Sequence, residues 1–174
     1  KIAGYPFTTL SPNLGILSVD DEKIVIADVP GLIEGAHQNK GLGHYFLRHV
    51  ERTRVIVHVL DIGLGEPDTI LGHWKSIREE CEMYNPELLH RPYIVVGNKI
   101  DLPDARRNID ALSSFFRKSN IPFVTLSALS GEGIQPLIDA IVTACRASSR
   151  PTSDTRLAPV QDLSVKTLRR DRFD

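Results

Sequence analysis

The stretch Tyr93-Ile94-Val95-Val96-Gly97-Asn98-Lys99-Ile100-Asp101 decides how this chain is read. It opens apolar and rich in β-branched residues, without polar alternation, the pattern of a strand covered on both faces in a parallel sheet. It then sets an amide, an ammonium and a carboxylate at the strand's C-terminal end, where doubly wound sheets place ligand chemistry. Val55–Leu60 is a second run of the same kind. His58 within it, a single imidazole with no nearby partner in sequence, reads as a satisfied sheet histidine. Three further runs, Gly15–Val19, Lys23–Ala27 and Phe123–Leu126, complete the strand set. The first two, joined by Asp20-Asp21-Glu22, are expected to form an antiparallel hairpin.

Segments of helical period separate these runs. Leu42, Phe46 and Val50 share one stripe, and Ile70, Trp74, Ile77, Cys81 and Tyr84 share another, stopped by Asn85-Pro86. Ile109, Leu112 and Phe116 mark a third helix. Ile134, Leu137, Ile138, Ile141, Val142 and Cys145 mark a fourth, with Pro136 in its first turn. Trp74 and both cysteines lie on these stripes and are expected in the core. Strand–helix alternation with short connections predicts an α/β fold built on a doubly wound, mostly parallel sheet. The polar, proline-bearing Ser148–Asp154 reads as a domain exit. That gives a domain over 1–147 and a polar, flexible tail over 148–174, whose basic end (Lys166-Thr167-Leu168-Arg169-Arg170-Asp171-Arg172) reads as solvated, with RNA contact as the alternative.

The 174 residues suffice for one domain with a hydrophobic core. Lysine and arginine number 21 against 22 acidic residues, a formal charge of −1, which removes the bulk electrostatic case for a nucleic-acid or anionic-membrane binder. A hydrophobic fraction of 41% with 25% charged residues excludes wholesale disorder. Two cysteines build no disulfide framework, and no short-spaced Cys/His set suggests zinc. No apolar run approaches the roughly 20 residues of a membrane helix. Lys1-Ile2-Ala3-Gly4-Tyr5 does not read as a secretory leader, so a cytoplasmic location without membrane partners is expected.

Four short elements carry chemistry. Asp28-Val29-Pro30-Gly31 follows the strand Ile24–Ala27. Asp28 could hold Mg²⁺ through water, since that ion keeps most of its hydration, and Gly31 would let a backbone N–H meet a terminal phosphate. The plainer reading is a strand-ending turn. In Asn98-Lys99-Ile100-Asp101, a carboxylate facing a purine accepts two hydrogen bonds only from a base with two adjacent donors. Guanine offers N1–H and its exocyclic amine, whereas adenine does not. Asp101 would therefore discriminate by a factor on the order of 10⁴, because the wrong base leaves a buried charge unpaired. Lys99 would lay its stem along the base face, and Asn98 would hold the loop and the N7 edge. Ser127-Ala128-Leu129 ends the last strand. There Ser127 can brace Asp101, and a small residue lets a backbone N–H reach the base carbonyl. Near the start, Tyr5-Pro6-Phe7-Thr8-Thr9-Leu10 offers a loop hydroxyl able to ligate Mg²⁺ while an adjacent N–H bonds phosphate. The plainer reading of Thr8 and Thr9 is a lead into a strand.

In this order the four elements resemble the signature series of a translation-factor-class GTPase. The wider text of Lys1–Gly15 (KIAGYPFTTLSPNLG) and Asp28–Arg54 (DVPGLIEGAHQNKGLGHYFLRHVERTR) closely resembles the Obg family, P-loop GTPases associated with assembly of the large ribosomal subunit. The resemblance covers roughly residues 1–147. It implies a P-loop GTPase G domain in which Phe7–Ser11, Asp28–Gly31, Asn98–Asp101 and Ser127–Leu129 bind GTP or GDP, with Thr9 and Asp28 on Mg²⁺. It implies two switches, the Thr9 loop and Asp28–His49, and a large-subunit or ribosomal RNA partner. Two departures stand out. No Gly-x-x-x-x-Gly-Lys-Ser/Thr occurs in the chain, so a fragment is expected that lacks the first strand, phosphate loop and first helix, together with the family's glycine-rich N-terminal domain. The missing strand would be central, so its absence is expected to separate the hairpin from the other strands. Leu32 stands where Ras-like enzymes carry the glutamine that orients water, as is usual in this family, so hydrolysis is expected to be slow or assisted. Glu34, His37 and His44 are polar neighbours with no assigned role. The alternative is a non-catalytic partner-binding module.

Overall fold

The computed structural model describes residues 13–29 and 47–148, which belong to two compact units. The first carries an antiparallel hairpin, β1 (Asn13–Val19) and β2 (Glu22–Asp28), with Asn13 opposite Asp28 and Val19 opposite Glu22. Glu22, expected in the turn, pairs in the ladder, which leaves Asp20-Asp21 as the connection. Asp20 turns the chain at φ 50°, a left-handed conformation that a short polar side chain tolerates. The register delivers Asp28 to the hairpin's open end.

The second unit is a three-stranded parallel sheet, β3 (Ile56–Asp61), β4 (Tyr93–Asn98) and β5 (Phe123–Thr125), in the order β3-β4-β5. No ladder joins it to the hairpin among the described residues. Helices α1 (Pro67–Tyr84), α2 (Pro103–Lys118) and α3 (Ile134–Ala147) follow the three strands in turn, giving the α/β alternation. Both α1 and α2 begin on proline, whose missing N–H costs nothing in a first turn. Asn85 ends α1 in an extended conformation, and its Oδ1 accepts the Glu87 N–H at 3.0 Å to cap a short 3₁₀ helix, Pro86–His90, absent from the sequence reading.

The core lies between the sheet and the inner faces of α1 and α2. In β4 the four consecutive residues Ile94, Val95, Val96 and Gly97 are all buried, as a central parallel strand requires. On one face, Ile70 and Trp74 of α1 and Ala105, Leu112 and Phe116 of α2 cluster with Val95, and Cys81 of α1 is buried as well. Phe116 anchors the aromatic packing, stacked on Phe123 at 4.9 Å and edge-on to Trp74 and Phe115 at 5.2 Å each. On α3 burial centres on Ile141 and Val142, so Cys145, expected in the core, is only partly covered. Gly97 is dictated by this packing, because a Cβ there would lie 2.9 Å from Phe123 Cζ and 3.0 Å from Ile62 Cδ1.

Two polar devices fasten the unit. His58 Nδ1 lies 2.5 Å from the Tyr93 hydroxyl across the β3–β4 pair, and burial, helped by Arg78, pushes its pKa down to about 4. It is thus the satisfied sheet histidine expected. Arg91, after the 3₁₀ helix, donates to the carbonyls of Val50, Glu51 and Thr53, the last turn of a helical segment that includes Leu47–Val50. The Glu51 carboxylate in turn accepts from Tyr84 Oη at 3.2 Å and Asn85 Nδ2 at 2.9 Å.

Candidate nucleotide-binding site

The chemistry gathers at the C-terminal ends of β3, β4 and β5. Parallel register sets Asp61 beside Asn98 and Gly97 beside Thr125, so the three loops leave the sheet at one level. β3 runs one residue further than its apolar pattern suggested and thereby carries Asp61 into this row.

Asn98 ties two of the loops together. Its Oδ1 accepts the Lys99 N–H at 2.8 Å and the Ala128 N–H at 3.0 Å. Lys99 adopts φ 73°, uncommon for a residue with a Cβ and costing roughly 1–2 kcal/mol. Bonds on either side hold it there, with Ile100 N–H on Leu126 O at 3.2 Å and Leu102 N–H on Lys99 O at 2.9 Å. The reversal sends Ile100 inward, where its side chain joins the core, and leaves Lys99 and Asp101 facing out. Of the four positions in this motif, Ile100 thus serves the site through its backbone.

Ser127 is wholly buried, yet its hydroxyl is fully used. Oγ donates to Asp101 Oδ1 at 2.6 Å and accepts the Ser130 N–H at 3.1 Å. Ser127's own N–H and C=O engage Glu132 O and the Gly131 N–H, each at 2.9 Å. This closes the loop into a tight turn from which Leu129 stands 87% exposed. Gly133 ends the turn at φ 79°, where a Cβ would lie 2.2 Å from the Thr125 carbonyl oxygen, so only glycine fits. Asp101 therefore presents a carboxylate already oriented by one charge-assisted bond, with its other oxygen toward solvent-accessible space.

Two residues that sequence reading passed over complete the row. Asp61 Oδ2 lies 2.5 Å from Lys99 Nζ, and its Oδ1 accepts the Gly63 N–H at 3.0 Å. Asn108, buried on α2, donates from Nδ2 to the carbonyls of Ile62 and Gly65, both at 2.9 Å, and pins the loop after β3. The signal for Asp61 was available as an acid directly after a buried-strand pattern. Asn108 carried none, because a polar residue on an amphipathic helix reads as surface.

Asp28 is exposed at the end of β2, followed by Val29. A single strand-end carboxylate open to solvent fits a magnesium ion held through water. Among the described residues no cluster of three or more His, Cys, Asp or Glu side chains forms a closed metal site. Phe7, Thr8, Thr9, Leu10, Ser11, Pro30 and Gly31, and with them Leu32, Glu34, His37 and His44, lie outside the described residues. No described helix is long and apolar enough to cross a membrane.

The family model described as 50S ribosome-binding GTPase matches residues 1–99, more than half of the chain. The chain is 49% identical over 143 residues to the GTPase Obg of Halalkalibacterium halodurans, covering 82% of this chain and 33% of that protein. It is 46% identical over 142 residues to GTPase Obg of Aquifex aeolicus, covering 81% and 41%. With that of Persephonella marina it shares 49% over 142 residues, covering 81% and 42%. The chain thus spans about a third to two-fifths of the length of these relatives. Among solved structures, Era in complex with MgGDPNP and a segment of 16S ribosomal RNA superposes with a TM-score of 0.57 at 22% identity, over 87% of this chain and 48% of that one, a likeness of fold. With the family model matching more than half of the chain and the Obg proteins matching at close to half identity, this chain belongs to the 50S ribosome-binding GTPase family, among its Obg members.

Proposed function

We propose that this chain supplies the base-recognition and switch portion of a GTP-hydrolysing factor acting on the large ribosomal subunit. The observation that carries the reading is Asp101, held by Ser127 at 2.6 Å at the mouth of the β4 and β5 loops. Braced in this way, the carboxylate accepts N1–H and the exocyclic amine of guanine without losing freedom on binding. The amides of the Ala128–Leu129 turn face the O6 edge, Asn98 keeps the two loops at fixed separation, and the Lys99 stem and Leu129 cover the ring faces. Phosphate recognition falls to the Phe7–Ser11 and Asp28–Gly31 segments. Thr9 and Asp28 would hold Mg²⁺, which supplies charge neutralisation at the phosphates when bound.

Leu32 has no group to orient water, so turnover is slow or completed by a group brought by the partner. GTP orders the two switch segments into a docking surface, and hydrolysis relaxes it. The family description, 50S ribosome-binding GTPase, supports the ribosomal partner. Two unpaired cysteines, Cys81 and Cys145, suit a reducing, cytoplasmic setting.

The test is Asp101→Asn in the full-length protein, with guanine and xanthine nucleotides titrated in parallel. Xanthine carries a carbonyl where guanine carries its amine, so an amide at 101 should favour it, and preference should swing by at least two orders of magnitude. Unchanged preference for guanine would overturn the assignment, and absence of nucleotide binding would favour the partner-binding module.

A further inference from the structure

The Lys99–Asp61 pair joins residues from two neighbouring strand ends, and nothing in the base-recognition motif itself calls for Asp61. Lys99 belongs to the four-residue motif after β4, whereas Asp61 is the last residue of β3, and the parallel register sets Asp61 beside Asn98. The ammonium lies 2.5 Å from Asp61 Oδ2, with the lysine side chain 50% exposed and the aspartate 25%. A lysine at φ 73° emerges from a turn with a four-carbon stem and many open rotamers. Anchoring its tip to the adjacent strand stretches that stem across the gap between the β3 and β4 ends. Asp61 can serve as an anchor because it is itself fixed. Its Oδ1 accepts the Gly63 N–H at 3.0 Å, and Asn108 holds the carbonyls of Ile62 and Gly65. A Cβ at Gly63 would lie 2.8 Å from Leu102 Cδ1, so a side chain there would have to push the end of Leu102 aside.

We propose that Asp61 is a positioning residue for guanine binding: it holds the Lys99 stem flat across the base site before nucleotide arrives. The inference rests on the guanine reading above and deepens it. Asp61 touches no base in this scheme and acts through Lys99. Its contribution is to remove the rotamer entropy that binding would otherwise have to absorb. Because the stem covers a ring face and meets no edge donor or acceptor, the effect is indifferent to the substituents that distinguish purines. A half-exposed ion pair is also screened by salt, so the contribution should shrink as ionic strength rises.

The experiment is a double-mutant cycle on the full-length protein with N-methylanthraniloyl-GDP as probe. Asp61→Asn is the informative variant, because an asparagine Oδ1 still accepts from Gly63 and the loop stays closed. Circular dichroism and Trp74 fluorescence confirm that it folds. Asp61→Asn should weaken the probe about five-fold, the size an ion pair of this exposure supports, and the deficit should narrow in 1 M salt. Asp61→Glu should recover part of it. In a Lys99→Ala background the same substitution should cost nothing further. The five-fold loss should recur for xanthine nucleotide in an Asp101→Asn background, with the base preference unmoved. Undiminished binding by Asp61→Asn, or an equal loss with and without Lys99, overturns the positioning role while leaving guanine recognition standing. Failure of the unsubstituted protein to prefer guanine over adenine nucleotide overturns the guanine reading, and the positioning role with it.

Discussion

Ser127 Oγ donates to Asp101 Oδ1 across 2.6 Å, joining the loop after β5 to the loop after β4 through a side chain with no exposed surface. The bond joins two separate loop motifs into one surface, the one proposed above to read the base. Replacing Ser127 by Ala leaves Asp101 unbraced and the Ser130 N–H without its acceptor. Loss of such a charge-assisted buried bond costs about 1.5–3 kcal/mol. Chemical denaturation of Ser127→Ala should show that drop, and guanine nucleotide affinity should fall about ten-fold, read by equilibrium titration.

Gly133 is the position least tolerant of a side chain. A Cβ would press to 2.2 Å on the Thr125 carbonyl oxygen, which as backbone cannot move aside, and φ 79° adds its own penalty. Gly133→Ala should destabilise the parallel-sheet unit by roughly 3 kcal/mol or more, combining left-handed strain with overpacking. Trp74 is the chain's one tryptophan and sits against Phe115 and Phe116, so its fluorescence during urea unfolding reports this unit directly.

Arg91 grips the end of the Leu47–Val50 helical segment by three carbonyls at once. A lysine carries the charge on one nitrogen, without the planar fork by which Arg91 reaches these carbonyls from two. Arg91→Lys should lower stability by about 1–2 kcal/mol and Arg91→Ala by more. The sharper readout is hydrogen exchange: the amides of Glu51, Arg52 and Thr53 should lose protection ahead of those in β4.

His58 is buried neutral, its pKa pushed from 6.5 to about 4 by desolvation first and by Arg78 second. Tyr93 and Arg78 are the polar groups facing it. A histidine with a depressed folded pKa takes up its proton more readily when unfolded, so its contribution is complete above about pH 6.5 and is lost as pH falls toward 4. Over that window the loss approaches about 3 kcal/mol. Urea midpoints at pH 7 and pH 4.5 should differ accordingly, and His58→Gln, which cannot titrate, should flatten the difference. An unchanged slope in His58→Gln would assign the acid sensitivity to other groups.

Much of the architecture was legible because it is written in short-range pattern. Unbroken β-branched runs marked β3 and β4, and spacing by three and four marked α1 and α2 down to the buried Ile70, Trp74, Leu112 and Phe116. That Asn98, Asp101 and Ser127 gather at one edge was legible because each directly follows a strand pattern, and strand ends in a parallel sheet converge there. Element ends were less legible. β3 runs on to Asp61 and β5 stops before Leu126, since ladder bonding, which depends on the neighbouring strand, sets those limits.

By itself, then, the amino-acid order determined the strand and helix succession, the parallel α/β character, the family, and the residues that reach the sheet edge. Only the tertiary structure decided how those residues are held. Lys99 meets Asp61, Asn108 meets Ile62 and Gly65, Arg91 meets Val50, Glu51 and Thr53, and Gly133 abuts Thr125. Most of these pairs join different elements, and the Lys99–Asp61 contact depends on the register of parallel strands. A one-residue slip in that register would turn Asp61 to the opposite face and dissolve the row. Periodicity and turn chemistry act over a few residues, so they place each group on its own element and leave its distant partner to the packing of the sheet.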